Sequence, residues 1–146
     1  MKNIFKALRK DHDKQRMLLN NLIKTSGDTP VRRELFKDIK TELKEHAKFE
    51  ERVFYKPLLE HDITQEKCRH SIAEHHDIDS KIEEMEKTEF SSTGWLTLAK
   101  SLKDLVEHHL EEEEQEVFQL AGKALSESQK ESLATKYENS MSEARC

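Results

Sequence analysis

His46 and Glu50 stand four residues apart in "HAKFEERVFYKPL", and His109 and Glu113 repeat the step in "EHHLEEEEQEVF". On an α-helix four residues advance about 6 Å and turn only about 40°, so both members of each pair face the same way. An imidazole beside a carboxylate is a ligand set for a metal cation. On an apolar stripe such groups are also costly, by several kcal/mol, unless something pairs with them. The first pair lies among Leu43, Phe49 and Val53, so these pairs need a partner.

Two further histidines share this setting. At about 100° per residue, His12 lies on the stripe of Phe5, Leu8, Leu19 and Ile23, and His75 on that of Cys68, Ile72, Ile78 and Ile82. His46 falls among Leu35, Ile39, Leu43 and Val53, and His109 among Leu98, Leu102, Leu105, Val106 and Leu120. The other histidines, His61, His70, His76 and His108, are out of phase and are expected at the surface. Two glutamates buried together would repel each other and raise their own pKa values, and a bound metal supplies the missing positive charge. Glu112 is the nearest rival of Glu113 by phase, whereas Glu111 and Glu114 read as a solvated acidic face, as do the outward-facing Glu51 and Arg52. Asp79, four residues after His75, keeps the phase to be a further ligand or a partner orienting that histidine.

Four imidazoles and two carboxylates exceed what one tetrahedral zinc requires. They suit two cations of iron or manganese type, and ligand type alone leaves Mn or Zn occupancy open. The ferritin-like di-iron bundles use Glu-x-x-His, but no histidine here has an acidic residue three positions before it.

The elements that must hold these side chains are helical. Charged residues make up 38% of the 146 and mean hydropathy is −0.91, yet the apolar positions recur regularly and only three Gly and two Pro interrupt them. The first helix is expected from an Asn3 cap to about Thr25, and the second from Pro30 until Pro57 helps end it. The third is expected from a Thr64 cap to about Lys87, and the fourth from Trp95 to Leu120. Ser126 and Gln129 form a capping-box pattern for a short fifth helix at about 127–140. Short connections predict an all-α, up-down-up-down four-helix bundle, one metal-binding domain over 1–146 with its core bundle at about 3–125. The net charge of −5 argues against a nucleic-acid partner, and no apolar run suits a membrane. The widely spaced Cys68 and Cys146 form no secretory framework and no signal-peptide core is evident, so a cytoplasmic setting is expected.

The two segments quoted above resemble the signature segments of the hemerythrin-like, HHE cation-binding domains. "KALRKDHDKQRMLL" is similar to that family's opening Asp-His segment and "AEHHDID" to its third-helix Glu-His segment, so the resemblance spans about residues 1 to 125 in order. It implies a non-haem di-iron centre, two Fe ions bridged by oxygen and carboxylate. In that centre His12, His46, His75 and His109 would be terminal ligands, and Glu50 and Glu113 the bridging carboxylates. The oxygen-carrying members have His-x-x-x-His on the third helix, but the residue four after His75 is Asp79. They end with His and an Asp five residues later, whereas His109 is followed by Glu113 at four. These departures weigh against reversible O2 carriage. The expected function is a module that binds or senses O2, NO or iron. The alternative is a di-iron enzyme acting on peroxide, NO or O2, and the sequence singles out no separate catalytic acid, base or nucleophile.

Overall fold

The computed structural model describes residues 2–145, which are almost entirely helical, with no strand among them. Helix α1 spans Ile4–Leu22, capped by the Asn3 side chain, which accepts from the Phe5 amide. Helix α2 spans Pro30–Phe49, with Thr29 as its cap and the proline in the first turn, where its missing N–H is not needed. It runs on through a π-helical segment, Glu50–Tyr55, into the short α3, Lys56–Leu58. The continuation ends at Leu58, one residue after Pro57. Helix α4 spans Asp62–Glu86, with His61 at the cap position; the Thr64 hydroxyl instead donates to the Leu58 carbonyl. Helix α5 spans Thr93–Glu112 and passes through a second π-helical segment, Glu113–Val117, into α6, Phe118–Ala124. The expected Ser126–Gln129 capping box is present and opens α7, Glu127–Ala144, which is four residues longer than expected.

The interior divides into two apolar clusters. One gathers Ile4, Leu8, Phe54, Leu58, Cys68, Val117, Phe118 and Ala121 with Leu133, Tyr137 and Met141 of α7. The other gathers Leu19, Leu22, Phe36, Ile39, Ile78, Ile82, Trp95, Leu102 and Val106. Helix α1 starts in the first cluster and ends in the second; α2 with its continuation runs the other way, α4 repeats α1, and α5 with its continuation repeats α2. His12, His46, Glu50, His75, His109 and Glu113 fall between the clusters on each path, and all six are buried.

The second cluster is closed at its far end by Arg32, only 2% exposed. Its guanidinium donates to the Phe90 carbonyl at 2.6 Å, the Thr25 carbonyl at 2.7 Å and the Thr25 hydroxyl at 2.9 Å, and lies over the Trp95 ring. One charged side chain thus ties the α1–α2 and α4–α5 connections together.

Candidate metal centre

The two carboxylates sit where the helices widen. Glu50 and Glu113 are the first residues of the two π-helical segments, and the closures match: the Lys56 amide donates to the Glu51 carbonyl and the Phe118 amide to the Glu113 carbonyl. An i→i+5 closure holds one residue more than an α-turn, so each segment retards the helical phase by about one residue, or 100°. Phe54 and Val117, eight residues after His46 and His109, are thereby brought onto the core side and buried. Val53 and Leu120, in phase on an uninterrupted helix, are only half-buried. Phe54 takes the stripe place expected for Val53, with Tyr55 beside it, both 0% exposed.

The four histidines share one arrangement. Each Nδ1 is engaged: His12 with Glu114 at 2.7 Å, His75 with Glu51 at 2.6 Å, His109 with Glu74 at 2.8 Å, and His46 with the Tyr137 hydroxyl. Each Nε2 points inward and is buried without a hydrogen-bond partner, as are all four oxygens of Glu50 and Glu113. The oxygens approach the imidazoles without hydrogen-bond alignment. Glu50 lies 3.5 Å from His46 Nε2 and 3.2 Å from His75 Nε2, and Glu113 lies 3.0 Å from His12 Nε2 and 4.0 Å from His109 Nε2. The His12 and His46 rings are 5.2 Å apart and those of His75 and His109 are 4.7 Å apart. Each carboxylate therefore reaches from one histidine pair to the other. Two groups that could hold a metal ion result, His12–His46–Glu50–Glu113 and Glu50–His75–His109, with Glu50 in both.

Charge explains why this layer asks for cations. Burial acts against a protonated imidazole, yet Glu50, with Asp11 beside His46 and Glu51 beside His75, raises these two histidines to about 10 and about 9. His12 and His109 move the other way because burial prevails over Glu114 and Glu74. Burial also opposes ionisation of Glu50, but His46 and His75 hold its carboxyl well below the usual range. Burial and the neighbouring Glu50 push Glu113 well above it. Without a cation, the interior balances its charge by holding protons on His46, His75 and Glu113. The eight unpartnered inward atoms and this demand for positive charge fit a metal-ligand set of nitrogen and oxygen donors.

The partners behind the imidazoles are where the sequence reading needs correction. Glu51 and Glu114 are not outward-facing: each accepts from a buried histidine, and Glu114 is also gripped by Arg16 at 3.0 Å. Glu51, not Asp79, holds His75 Nδ1. Asp79 is half-buried and lines a narrow cavity beside His46, His75 and His109, with Gln15, Leu43, Ala47 and Ile78. Glu112 points away from Glu113 to His70 and His108 at the surface. Among the histidines expected outside, His70, His76 and His108 are exposed and His61 is half-buried.

Tyr137 was not singled out by the sequence. Its hydroxyl accepts from His46 and donates to Asp11, whose other oxygen accepts from Arg145; Arg145 also reaches Glu42 at 2.9 Å. The available signal was the stripe Leu133, Tyr137, Met141 on α7, whose spacing of four marks a packed face.

The hemerythrin HHE cation-binding domain profile matches residues 3–121. No curated protein matches the chain significantly. A crystal structure of a hemerythrin HHE cation-binding domain-containing protein from Mycobacterium kansasii superposes with a TM-score of 0.85 at 22% identity, over 99% of this chain and 88% of that one. At that identity the likeness speaks for the fold, whereas the profile spans most of the chain; this chain belongs to the hemerythrin HHE cation-binding family.

Proposed function

We propose that the chain is a non-haem di-iron protein that binds or senses O2, NO or iron. In this reading His12 and His46 would hold one ion, His75 and His109 the other, and Glu50 and Glu113 would be the carboxylate ligands between the two histidine pairs. The observation that carries it is the set of eight buried, unpartnered nitrogen and oxygen atoms converging from four helices. The alternation of the helices between the two apolar clusters supports an up-down-up-down bundle as the scaffold.

Bound iron would supply a redox-active, Lewis-acidic pair. The chain's own part is to position and to exclude. Glu114, Glu51 and Glu74, with the Tyr137 hydroxyl, each hold an imidazole with Nε2 inward. Leu43, Phe54, Val106 and Val117 keep bulk water out. The space lined by Asp79 is narrow, about 10 Å³, which leaves no room for an organic substrate beside the histidines.

One observation favours the second reading, an enzyme acting on peroxide, NO or O2. Arg145 and Tyr137 both donate to Asp11, and this chain holds the His46 imidazole in one orientation, the kind of preorganisation that turnover at a metal pair requires. Metal counting and an optical spectrum of the reduced protein under O2 test both. Two irons per chain with a stable, reversible spectral change support binding. Rapid consumption of excess peroxide, abolished in His46→Ala, supports the enzyme. A reproducible single zinc overturns the di-iron reading.

A further inference from the structure

A second group of ligand-type side chains lies at the surface where α4 meets α5, touching the buried layer through Glu74 alone. Each helix contributes a histidine followed four residues later by a glutamate: His70 and Glu74 on α4, His108 and Glu112 on α5. The four-residue step puts each pair on one face, and the packing of the helices brings the faces together. His70 Nε2 is 3.1 Å from a Glu112 oxygen and 3.4 Å from Glu74 Oε2. His108 Nε2 is 3.2 Å from the other Glu112 oxygen and 3.9 Å from the same Glu74 oxygen. Metal–donor bonds of about 2.0–2.2 Å at tetrahedral angles separate neighbouring donors by about 3.3–3.6 Å. His70, Glu74 and Glu112 already bring one donor atom each within 4.8 Å of one another, and His108, 3.2 Å from Glu112, stands at the edge of that group.

The carboxylates are not loose surface groups. Both side chains are only 16% exposed. Glu74 is oriented by the buried His109, whose Nδ1 lies 2.8 Å from its Oε1, which leaves Oε2 turned to the two exposed histidines. Glu112 divides its two oxygens between His70 and His108. Such prior orientation lowers the ordering cost of binding an ion.

We infer that His70, Glu74, His108 and Glu112 form a surface site for a borderline divalent transition-metal ion, of which Zn2+ is the representative. Two imidazoles select this class over Mg2+ and Ca2+, which prefer an all-oxygen shell. The site draws no ligand from the buried layer, and its two histidines are separate from those assigned to the centre.

Zn2+ titrated into the full chain, after its resident metal has been counted, tests the site by equilibrium dialysis and calorimetry. The expected result is one additional Zn2+ per chain that excess Mg2+ does not displace. His70→Ala and His108→Ala should each weaken this binding by about tenfold or more, with resident metal and helix content unchanged. Both residues are exposed, so neither substitution threatens folding. Absence of the extra equivalent, equal binding by the variants, or displacement by Mg2+ as from any acidic face would overturn the proposal. Because resident metal is counted separately, failure of the di-iron reading leaves this result interpretable.

Discussion

The Tyr137 hydroxyl on the last helix accepts the Nδ1–H of His46, 91 residues earlier in the chain, and passes its own proton toward Asp11. A helix beyond the residues that carry the family signature thus fixes the tautomer of an inner imidazole. Tyr137→Phe keeps the packed ring and removes only this link. Metal affinity should fall by about 10–100-fold, measured by competition with a chelator. Unchanged affinity would show that the hydroxyl does not position His46.

Glu50 approaches an imidazole of both histidine pairs, at 3.5 Å and 3.2 Å, whereas each histidine belongs to one pair. Glu50→Ala should therefore bring the metal count close to zero, while His109→Ala should retain part of it in the His12–His46 half. Elemental analysis of purified variants, with circular dichroism to verify folding, reads the difference. Equal metal loss in both would argue against a shared carboxylate.

Metal uptake should release protons. At neutral pH the metal-free interior holds protons on His46 and His75, raised to about 10 and about 9, and on Glu113, raised well above its usual range. Two cations would displace about three protons per chain, seen as a buffer-dependent calorimetric heat. Apparent affinity should rise with pH and flatten above about pH 9–10. The metal-free chain has the opposite trend in stability. A histidine with a raised folded pKa stabilises fully below its unfolded value near 6.5, and that stabilisation is lost as pH rises through the folded value. Metal-free protein should thus weaken between about pH 7 and 10, with thermal melts as the check.

Arg32 offers a stability test away from the centre. Arg32→Ala removes three short hydrogen bonds from a charged donor, a type whose net contribution is about 1.5–3 kcal/mol each and not additive. Exposed carbonyls regain water, so the expected net loss is about 2–4 kcal/mol by denaturant titration, with metal content preserved.

Much of this was legible in the sequence because one-helix periodicity decides it. His12, His46, His75 and His109 each sit mid-stripe, and the structure brings them together with Glu50 and Glu113 in one buried layer. Two kinds of information lay beyond that reading. Phase cannot anticipate a π-turn, so an uninterrupted helix assigns Val53 and Leu120 the places that Phe54 and Ala121 occupy. Nor can it show which residue on one helix supports a side chain on another. Glu51, Glu74 and Glu114 each lie next to a stripe position and look solvated on their own helix, yet each meets a histidine from a different one. Pro57 is legible as helping to end its helix, which stops one residue later at Leu58, but the π-helical segment that precedes it is not.

The ionisable layer between the two apolar clusters also makes a seam across the molecule. The helices run through both clusters, but the packing between the clusters is a layer of imidazoles and carboxylates whose mutual attraction depends on charge. With cations in place, the two ends should open together as one cooperative unit. Once they are chelated, amide hydrogen exchange should separate into two regimes, one around Trp95 and Leu102 and one around Phe118 and Tyr137.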